Sequence, residues 1–210
     1  DIYMSAPQGT EEWLKKRLGK ITGSTIHKIM SLKENSSTRS KLLRDLMLER
    51  LSGSPAKNIV TGPMARGLEL ESEARQAYEQ ENQKVILTGF IDHPTIKEAG
   101  ASPDGLVGED GLIEIKCLNI KNHNEIVQKQ NLPKQYNLQI QFQLACTNRA
   151  WCDFVAYHPE SAQSLYVKRV LPDLELIKDI HEKAIIFIDE VEKKYQEMKL
   201  RNSEELYKYL

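Results

Sequence analysis

The fold is decided by the stretch Ser-Pro-Asp-Gly-Leu-Val-Gly-Glu-Asp-Gly-Leu-Ile-Glu-Ile-Lys, residues 102–116. Asp104 lies between a proline and a glycine, which predicts a turn, because proline fixes φ and glycine tolerates unusual backbone angles. A second glycine-bounded turn at 108–111 leads into residues 112–116, where the side chains alternate with period two. This alternation predicts a strand that begins just after the Asp104 turn.

The predicted strand carries two charges on one face. Glu114 and Lys116 lie on the same face as Leu112, and the two isoleucines lie on the other. Charged groups on an otherwise apolar strand are costly to bury unless they are paired. A divalent cation held by Asp104 and Glu114 would supply the missing positive charge.

Mg²⁺ prefers carboxylate and carbonyl oxygens, so Asp104, Glu114 and the backbone carbonyl of Ile115 form a sensible set of ligands. Such sites cleave phosphodiesters by generating hydroxide and neutralising charge on the phosphate. Lys116 would steady the attacking water or the phosphate. The alternative is a surface hairpin with solvated side chains, and the spacing alone does not choose between the two.

Four segments, in order, resemble the phage lambda exonuclease family, the YqaJ-type viral recombinase nucleases, which are a branch of the PD-(D/E)xK nucleases. Residues 102–117 resemble the core of that family. The other three segments are Arg-Leu-Gly-Lys-Ile-Thr-Gly-Ser at 17–24, Gly-Leu-Glu-Leu-Glu at 67–71, and Gln-Ile-Gln at 139–141 with Trp151 and Tyr-His-Pro at 157–159 after it. The resemblance covers residues 13–159, most of the chain.

The resemblance implies an α/β fold with a central mixed sheet of about five strands and helices on both sides, the PD-(D/E)xK restriction-endonuclease-like fold. Helical patterns near both ends of the chain, around a block of strands, agree with this layered arrangement. A length of 210 residues suits one domain, so we expect a single nuclease domain over 1–210.

The resemblance also implies a function: a Mg²⁺-dependent exonuclease, with Mn²⁺ able to substitute, that degrades one strand of double-stranded DNA from a 5′ end. It further implies a ring-shaped homotrimer and a single-strand annealing protein as partner in phage-type recombination. The implied location is the cytoplasm of a bacterial host or of a phage-infected cell.

The implied roles in the metal site are as follows. Asp104 bridges two metals, Glu114 and the Ile115 carbonyl complete one of them, Glu71 holds the other, and Lys116 positions the nucleophilic water. Glu71 has an alternative role, because a helix predicted over 64–81 pairs it with the arginine four residues later.

Four further residues receive roles from the resemblance. Gln139 and Gln141 line the site and support Lys116 or a phosphate, while Arg17 and Ser24 bind the 5′-terminal phosphate. An arginine suits phosphate because its planar guanidinium donates two parallel hydrogen bonds. Gly67 is expected to let its helix approach the sheet closely.

Composition restricts the function less sharply. The net charge of −1 comes from 29 basic and 30 acidic residues, so a DNA-binding surface would have to be a local groove. The three cysteines have no C-x-x-C spacing, which predicts reduced thiols instead of a disulfide framework or zinc site. No apolar run is long enough to span a membrane.

The remaining elements follow from periodicity and turn residues. Residues 121–134 are polar and predict either a solvated loop or a segment that follows DNA phosphates with Lys121, Lys129 and Lys134. Helices are predicted at 10–18, 24–30, 41–51, 64–81, 135–147 and 174–198, with a short one at 201–210; strands at 85–91, 99–102, 112–116, 151–157 and 165–170; loops at 33–40 and 52–63.

Three rival functions remain open. A Cas4- or RecB-type nuclease shares the metal core, but this chain lacks a tyrosine four residues after Gln139 and four cysteines for an iron–sulfur cluster. A site-specific endonuclease would need a specificity domain, and none is visible. An inactive DNA-end-binding relative would not need the intact set of Asp104, Glu114 and Lys116.

Overall fold

The computed structural model describes residues 6–31, 36–56 and 62–208. The helices are α1 (Glu11–Arg17), α2 (Ile26–Ile29), α3 (Ser37–Ser52), α4 (Gly62–Glu81), α5 (Ile120–Lys129), α6 (Lys134–Thr147) and α7 (Leu174–Tyr207). The strands are β1 (Ile21–Thr22), β2 (Val85–Ile86), β3 (Ile91–Asp92), β4 (Ala99–Ala101), β5 (Gly105–Val107), β6 (Gly111–Lys116), β7 (Trp151–Tyr157) and β8 (Leu165–Val170).

Five strands form the main sheet in the order β2-β5-β6-β7-β8. Its β6–β7 pair is parallel and its other pairs are antiparallel, so the expected central mixed sheet is confirmed. A smaller sheet has the order β1-β4-β3. The order β2-β5-β6-β7-β8 places β6 at the centre of the main sheet. The β6–β7 ladder extends from Gly111 opposite Trp151 to Lys116 opposite Ala156.

Helices cover both faces of the main sheet, as expected. Ile113 and Ile115 of β6 pack with Ala74 and Tyr78 of α4 on one face. The other face of β6, which begins with Leu112, packs against α5 and α6. A third cluster joins α2, α3, α6 and α7 beside the smaller sheet. Within the described residues, no helix is both long enough and apolar enough to cross a bilayer.

The prediction of one strand over 85–91 is wrong. The stretch contains two short strands, β2 in the main sheet and β3 in the smaller one. Its apolar residues suit either sheet, and the alternation does not show where the chain leaves the first sheet for the second. The sequence predicts no strand between the Asp104 turn and the turn at 108–111, but Gly105–Val107 form the strand β5.

The loop predicted over 121–134 is also wrong, because most of it forms α5. Asn119 caps this helix by accepting a hydrogen bond from the Asn122 N–H, and Gln130 ends it in the left-handed conformation. His123 and Ile126 are buried and give the helix an apolar side despite its polar composition.

Two other boundaries differ from the predictions. Residues 37–40 belong to α3, which Ser36 caps, while residues 32–35 and 57–61 of the two predicted loops lie outside the described residues. The helix α7 continues to Tyr207, so the tail is not a separate helix over its described part. The sequence of α7 has no glycine or proline that would end the helix earlier.

Candidate active site

The β5–β6 hairpin brings Asp104 to the end of the central strand. Gly105 pairs with Ile113 in the antiparallel ladder, so the preceding Asp104 comes opposite Glu114, and its side chain reaches the backbone of Ile115. The Oδ2 atom of Asp104 accepts a hydrogen bond of 2.7 Å from the Ile115 N–H. A Cβ on Gly105 would lie 2.1 Å from a Val85 methyl group, so glycine allows this close strand pairing.

The backbone carbonyl of Ile115 belongs to the same edge of β6. In a strand, the N–H and C=O of one residue point to the same edge, and the Ile115 N–H points to Asp104. The carbonyl of Ile115 is therefore directed toward the Asp104 side, beyond the last pair of the β5–β6 ladder. This direction suits the role of a metal ligand.

Glu114 is only 3% exposed and has three donors around its carboxylate. Its Oε1 accepts from Gln139 Nε2 at 3.0 Å and lies 3.2 Å from the Lys116 ammonium. Its Oε2 accepts from Gln143 Nε2 at 3.0 Å. A buried carboxylate of this kind is stable because hydrogen bonds and a positive charge compensate its lost hydration.

The expectation that Gln141 lines this site is wrong. Its amide Nε2 donates to the Leu171 carbonyl at 3.0 Å, and its Oε1 accepts from the Asp173 N–H at 2.8 Å. Gln141 therefore joins α6 to the start of α7. Two residues along a helix turn by about 200°, whereas four residues complete about one turn, so Gln143 and not Gln141 shares the face of Gln139.

If Glu114 binds a metal ion, replacement of Gln143 by leucine should slow cleavage roughly 10- to 100-fold, because the variant no longer orients that carboxylate. The matched control is Gln141→Leu, which removes an equally buried amide from the same helix. We expect both variants to melt at lower temperature, and only Gln143→Leu to lose nuclease rate. Equal rate losses in the two variants would show a general effect of stability.

The structure confirms the pair of Glu71 with Arg75, and the role of Glu71 in metal binding stays a prediction. Arg75 Nη2 donates to Glu71 Oε1 at 2.8 Å, which is the expected pair within α4. Burial raises the pKa of Glu71, Arg75 opposes that rise, and the charge of Glu114 adds to it. Glu71 thus lies within electrostatic reach of the strand carboxylate. A Cβ on Gly67 would meet nothing within 4 Å, so that glycine is not needed for close packing.

The carboxylates disfavour one another's charge. Burial, and then the charges of Glu114 and Glu71, raise the pKa of Asp104 well above its ordinary value. Burial together with Glu71 and Asp104 raises the pKa of the neighbouring Cys117 thiol to about 12. Gathered, partly buried carboxylates create a negative potential that a cation would neutralise.

The donor set fits a hard cation such as Mg²⁺, since it consists of carboxylate and carbonyl oxygens. In the part of the chain that the structure describes, no three carboxylate, histidine or cysteine side chains converge as a complete metal site. Asp104, Glu114 and the Ile115 carbonyl would hold the ion together with water, and Glu71 would act through water.

Lys116 completes the group. Its ammonium lies between the carboxylate of Glu114 and the ring of Tyr136, whose centroid is 4.9 Å away. Burial by itself would lower the pKa of Lys116, but the charges of Glu114 and Asp104 outweigh burial and raise it. The side chain therefore remains a cation beside the carboxylates.

Arg17 lines a cleft of about 660 Å³ between α1, the segment after it, and α3. Burial lowers the pKa of its guanidinium, and the carboxylate of Glu49 opposes that effect. The cleft also offers four hydroxyl side chains and four other cations: Thr22, Thr25, Ser37, Thr38, Lys20, Lys28, Lys41 and Arg44. This composition suits a phosphate group.

The turn after α1 is fixed by α3. Glu49 Oε2 accepts from the Gly19 N–H at 2.8 Å, and Arg50 Nε donates to the Gly19 carbonyl at 3.1 Å. Gly19 has φ of 67°, and a Cβ there would lie 2.7 Å from Arg50 Cγ. These contacts hold Arg17 at the wall of the cleft.

The structure gives Arg17 a different neighbour from the acidic residues of its own helix. Glu11 pairs with Lys15, while the guanidinium of Arg17 lies 4.1 Å from the centroid of the Trp13 ring. The indole N–H of Trp13 donates to Ser102 Oγ at 2.9 Å. Trp13 therefore connects the cleft to the stretch that carries Asp104 and Glu114.

Ser24 does not line the cleft with Arg17. It is exposed, and its Oγ lies 3.1 Å from the hydroxyl of Thr22, which does line the cleft. The preceding Gly23 packs against Gln139 and Gln143. Ser24 thus lies on the segment between the cleft and the carboxylates.

Comparisons with known proteins agree with this geometry. An alkaline exonuclease (LHK-Exo) from Laribacter hongkongensis has a TM-score of 0.87 and 38% identity, over 93% of this chain and 99% of that one. Its complex with dAMP has the same TM-score, 39% identity and the same coverage. A phage-related exonuclease from Haemophilus somnus 129PT shares the fold, with a TM-score of 0.69 and 17% identity over 85% of this chain and 96% of that one. We found no match among proteins with curated functions.

The family model agrees with the solved structures. Residues 12–150, well over half of the chain, match the YqaJ-like viral recombinase domain. The matched region contains the cleft of Arg17, the helix of Glu71 and the hairpin of Asp104 and Glu114. The chain therefore belongs to the YqaJ-like viral recombinase family, and its fold is that of the PD-(D/E)xK-like alkaline exonucleases.

Proposed function

We propose that this protein is a Mg²⁺-dependent exonuclease that degrades one strand of duplex DNA from a 5′ end. The family and the alkaline exonuclease neighbours support a phage-type exonuclease. The observation that carries the metal dependence is the grouping of Asp104 with Glu114 and Glu71: burial, and then the charges of these two neighbours, raise the pKa of Asp104 well above its ordinary value. The 5′ polarity rests on the family and on the basic cleft of Arg17.

A bound Mg²⁺ would supply hydroxide and neutralise charge on the scissile phosphate. Asp104 and Glu114 bind that ion, and Gln139 and Gln143 keep the Glu114 carboxylate in one orientation. Lys116 keeps its charge and offers N–H donors to the attacking water or to the phosphate oxygens. Mn²⁺ takes similar oxygen ligands and should support cleavage too.

The basic cleft would hold the 5′-terminal phosphate. Its guanidinium and hydroxyl groups can donate several hydrogen bonds to one phosphate, and Ser24 on the adjoining segment would add another. The structurally similar exonuclease LHK-Exo has been solved with dAMP. A nucleoside 5′-monophosphate such as dAMP is the product that degradation from a 5′ end would release. After each cleavage, the cleft would hold the newly exposed phosphate.

The assay for this function uses linear duplex and closed circular duplex with Mg²⁺. A 5′-exonuclease should release mononucleotides from linear duplex and leave closed circular duplex intact. Cutting of the circle would favour the site-specific endonuclease, and equal release of labels placed at the 5′ and 3′ termini of the same strand would contradict the polarity. Binding of linear ends without any release would favour the inactive relative.

We also propose, from family membership, a homotrimer that acts with a single-strand annealing protein in the cytoplasm of a bacterial or phage-infected cell. Light scattering on the purified protein should give three times the mass of one chain. A monomer that retains processive degradation would contradict the ring.

Replacement of Arg17 by alanine should reduce the preference for a 5′-phosphate over a 5′-hydroxyl end about tenfold, since a charge-assisted bidentate pair is lost. Initial rates on two duplexes that differ only in that phosphate give the preference directly. The control is Arg201→Ala, which removes one exposed positive charge from α7. If the preference of Arg17→Ala matches that of the wild type, Arg17 does not bind the phosphate.

A further inference from the structure

An aromatic stack lies beside the lysine of the proposed active site. The Tyr136 ring stacks on the Phe154 ring with a centroid distance of 5.9 Å and an interplanar angle of 20°. Phe154 is fully buried and pairs in register with Glu114 across the β6–β7 ladder. The strand that carries the carboxylate thus indirectly fixes the position of the Tyr136 ring.

The Lys116 ammonium lies on that ring, 4.9 Å from its centroid, and 3.2 Å from Glu114 Oε1. A lysine chain has four rotatable carbons, so one ion pair does not fix its end. The ring face attracts the cation electrostatically, and the attraction strengthens where water is excluded. The two contacts together define one position for the nitrogen.

The two partners also divide the three N–H donors of the ammonium. Glu114 accepts one, and the ring face accommodates another without a competing oxygen acceptor. The remaining donor is free to point at a water or phosphate oxygen. A second carboxylate in place of the ring would accept a further hydrogen bond from the ammonium. The lysine would then be held by two carboxylates and away from its substrate.

We propose that Tyr136 is a positioning residue, whose ring face holds Lys116 in its reactive position. This inference rests on the proposed nuclease function. It assigns the work to the ring and not to the phenol hydroxyl. Tyr136 is half-buried and borders an open groove of about 510 Å³ beside α5, so its replacement by leucine opens no closed cavity.

The experiment compares Tyr136→Phe with Tyr136→Leu. Phenylalanine keeps the ring face, so its rate with Mg²⁺ should stay within about twofold of the wild type. Leucine removes the ring, and its rate should fall about tenfold. Duplex affinity, measured with Ca²⁺ to prevent turnover, should be the same for all three proteins.

The matched control is Tyr195→Leu. Tyr195 forms the same kind of pair on α7, where Lys199 Nζ lies 5.2 Å from its ring centroid. Its loss should leave the rate and the affinity unchanged. A double-mutant cycle with Tyr136→Leu and Lys116→Met, followed by urea unfolding without metal, should show that the two substitutions are coupled.

Three outcomes would overturn the inference while the wild type remains active: a Tyr136→Leu rate equal to the wild type, equal losses in the phenylalanine and leucine variants, or additive unfolding effects in the cycle. The second outcome would assign the work to the hydroxyl. A wild-type protein that releases no nucleotide would instead refute the proposed function, and the unfolding cycle would still test the lysine–ring contact.

Discussion

The Asp104→Asn protein should fold, bind duplex DNA and lose at least about a hundredfold of its Mg²⁺-dependent cleavage rate. Asparagine has nearly the same shape as aspartate, and its Oδ1 can still accept the hydrogen bond from the Ile115 N–H. It lacks the negative charge that binds a cation. Initial rates of nucleotide release from linear duplex measure the loss.

The same substitution should stabilise the metal-free protein at neutral pH. Burial and the nearby carboxylates raise the folded-state pKa of Asp104 well above 3.8, so folding then favours its protonated form. As pH rises above 3.8 toward the folded-state pKa, the wild type loses stability, because its native state binds more protons than the unfolded chain. Asparagine has no proton to lose and escapes this cost.

Thermal melts with EDTA test the predicted gain in metal-free stability. Melts with Mg²⁺ test whether Asp104 contributes to cation binding. The wild type should gain stability from Mg²⁺ by mass action, and Asp104→Asn should gain much less. The control is Asp110→Asn, an exposed aspartate in the same hairpin, which should keep both the rate and the Mg²⁺ shift. A rate above about a tenth of wild type would remove Asp104 from the metal site.

The sequence predicts the central strand β6 and its charged face well, and the reason is geometric. A strand places alternate residues on opposite faces, so Glu114 and Lys116 have to share one face wherever the strand lies in the sheet. The structure confirms this, with both side chains on the α6 side. The alternation does not specify the partners, and the donors of Glu114 come from α6, which is distant in the chain.

Gln143 contacts Glu114, but the family pattern does not identify it. The pattern drew attention to Gln139 and Gln141, yet the helical period relates Gln139 to Gln143. At the position four residues after Gln139, the comparison with Cas4- and RecB-type nucleases shows only that a tyrosine is missing. With the helix at 135–147 already predicted, its period was enough to identify the second amide donor.

The sequence does not predict helix α5, and the physical reason is different. Half of its ten residues are Asn, Gln or Lys, and the polar composition suggests a loop, although Lys and Gln are themselves good helix formers. The buried His123 and Ile126 lie three residues apart, and the packing of this narrow stripe on the sheet outweighs local preference. Such a tertiary contribution is not visible in the stretch itself.

Lys116→Met should reduce the cleavage rate roughly a hundredfold to a thousandfold with little change in DNA affinity. Methionine keeps most of the length and apolar contact of lysine but has no charge. In the proposed mechanism, the ammonium would stabilise negative charge that develops on the phosphate as the bond breaks, and that charge is smaller in the bound substrate. Its loss should therefore appear in the rate.

Two measurements separate rate from affinity for this variant. Equilibrium binding in Ca²⁺ gives the affinity, since Ca²⁺ coordinates loosely and should support little turnover. Single-turnover cleavage in Mg²⁺ gives the rate of the chemical step. Vigorous cleavage in Ca²⁺ would count against the mechanism, because the nucleophile would then not depend on strict coordination.

The choice of control decides what a slow Lys116→Met variant means. Lys183→Met removes an ammonium that pairs with Asp179 on α7, so it matches the loss of charge and of one ion pair. This control should keep both rate and affinity. A Lys116→Met protein that lost affinity in Ca²⁺ and kept its single-turnover rate would make Lys116 a clamp on the DNA backbone. Loss of the rate alone would assign Lys116 to the chemical step, a role that agrees with its position beside Glu114 and Tyr136.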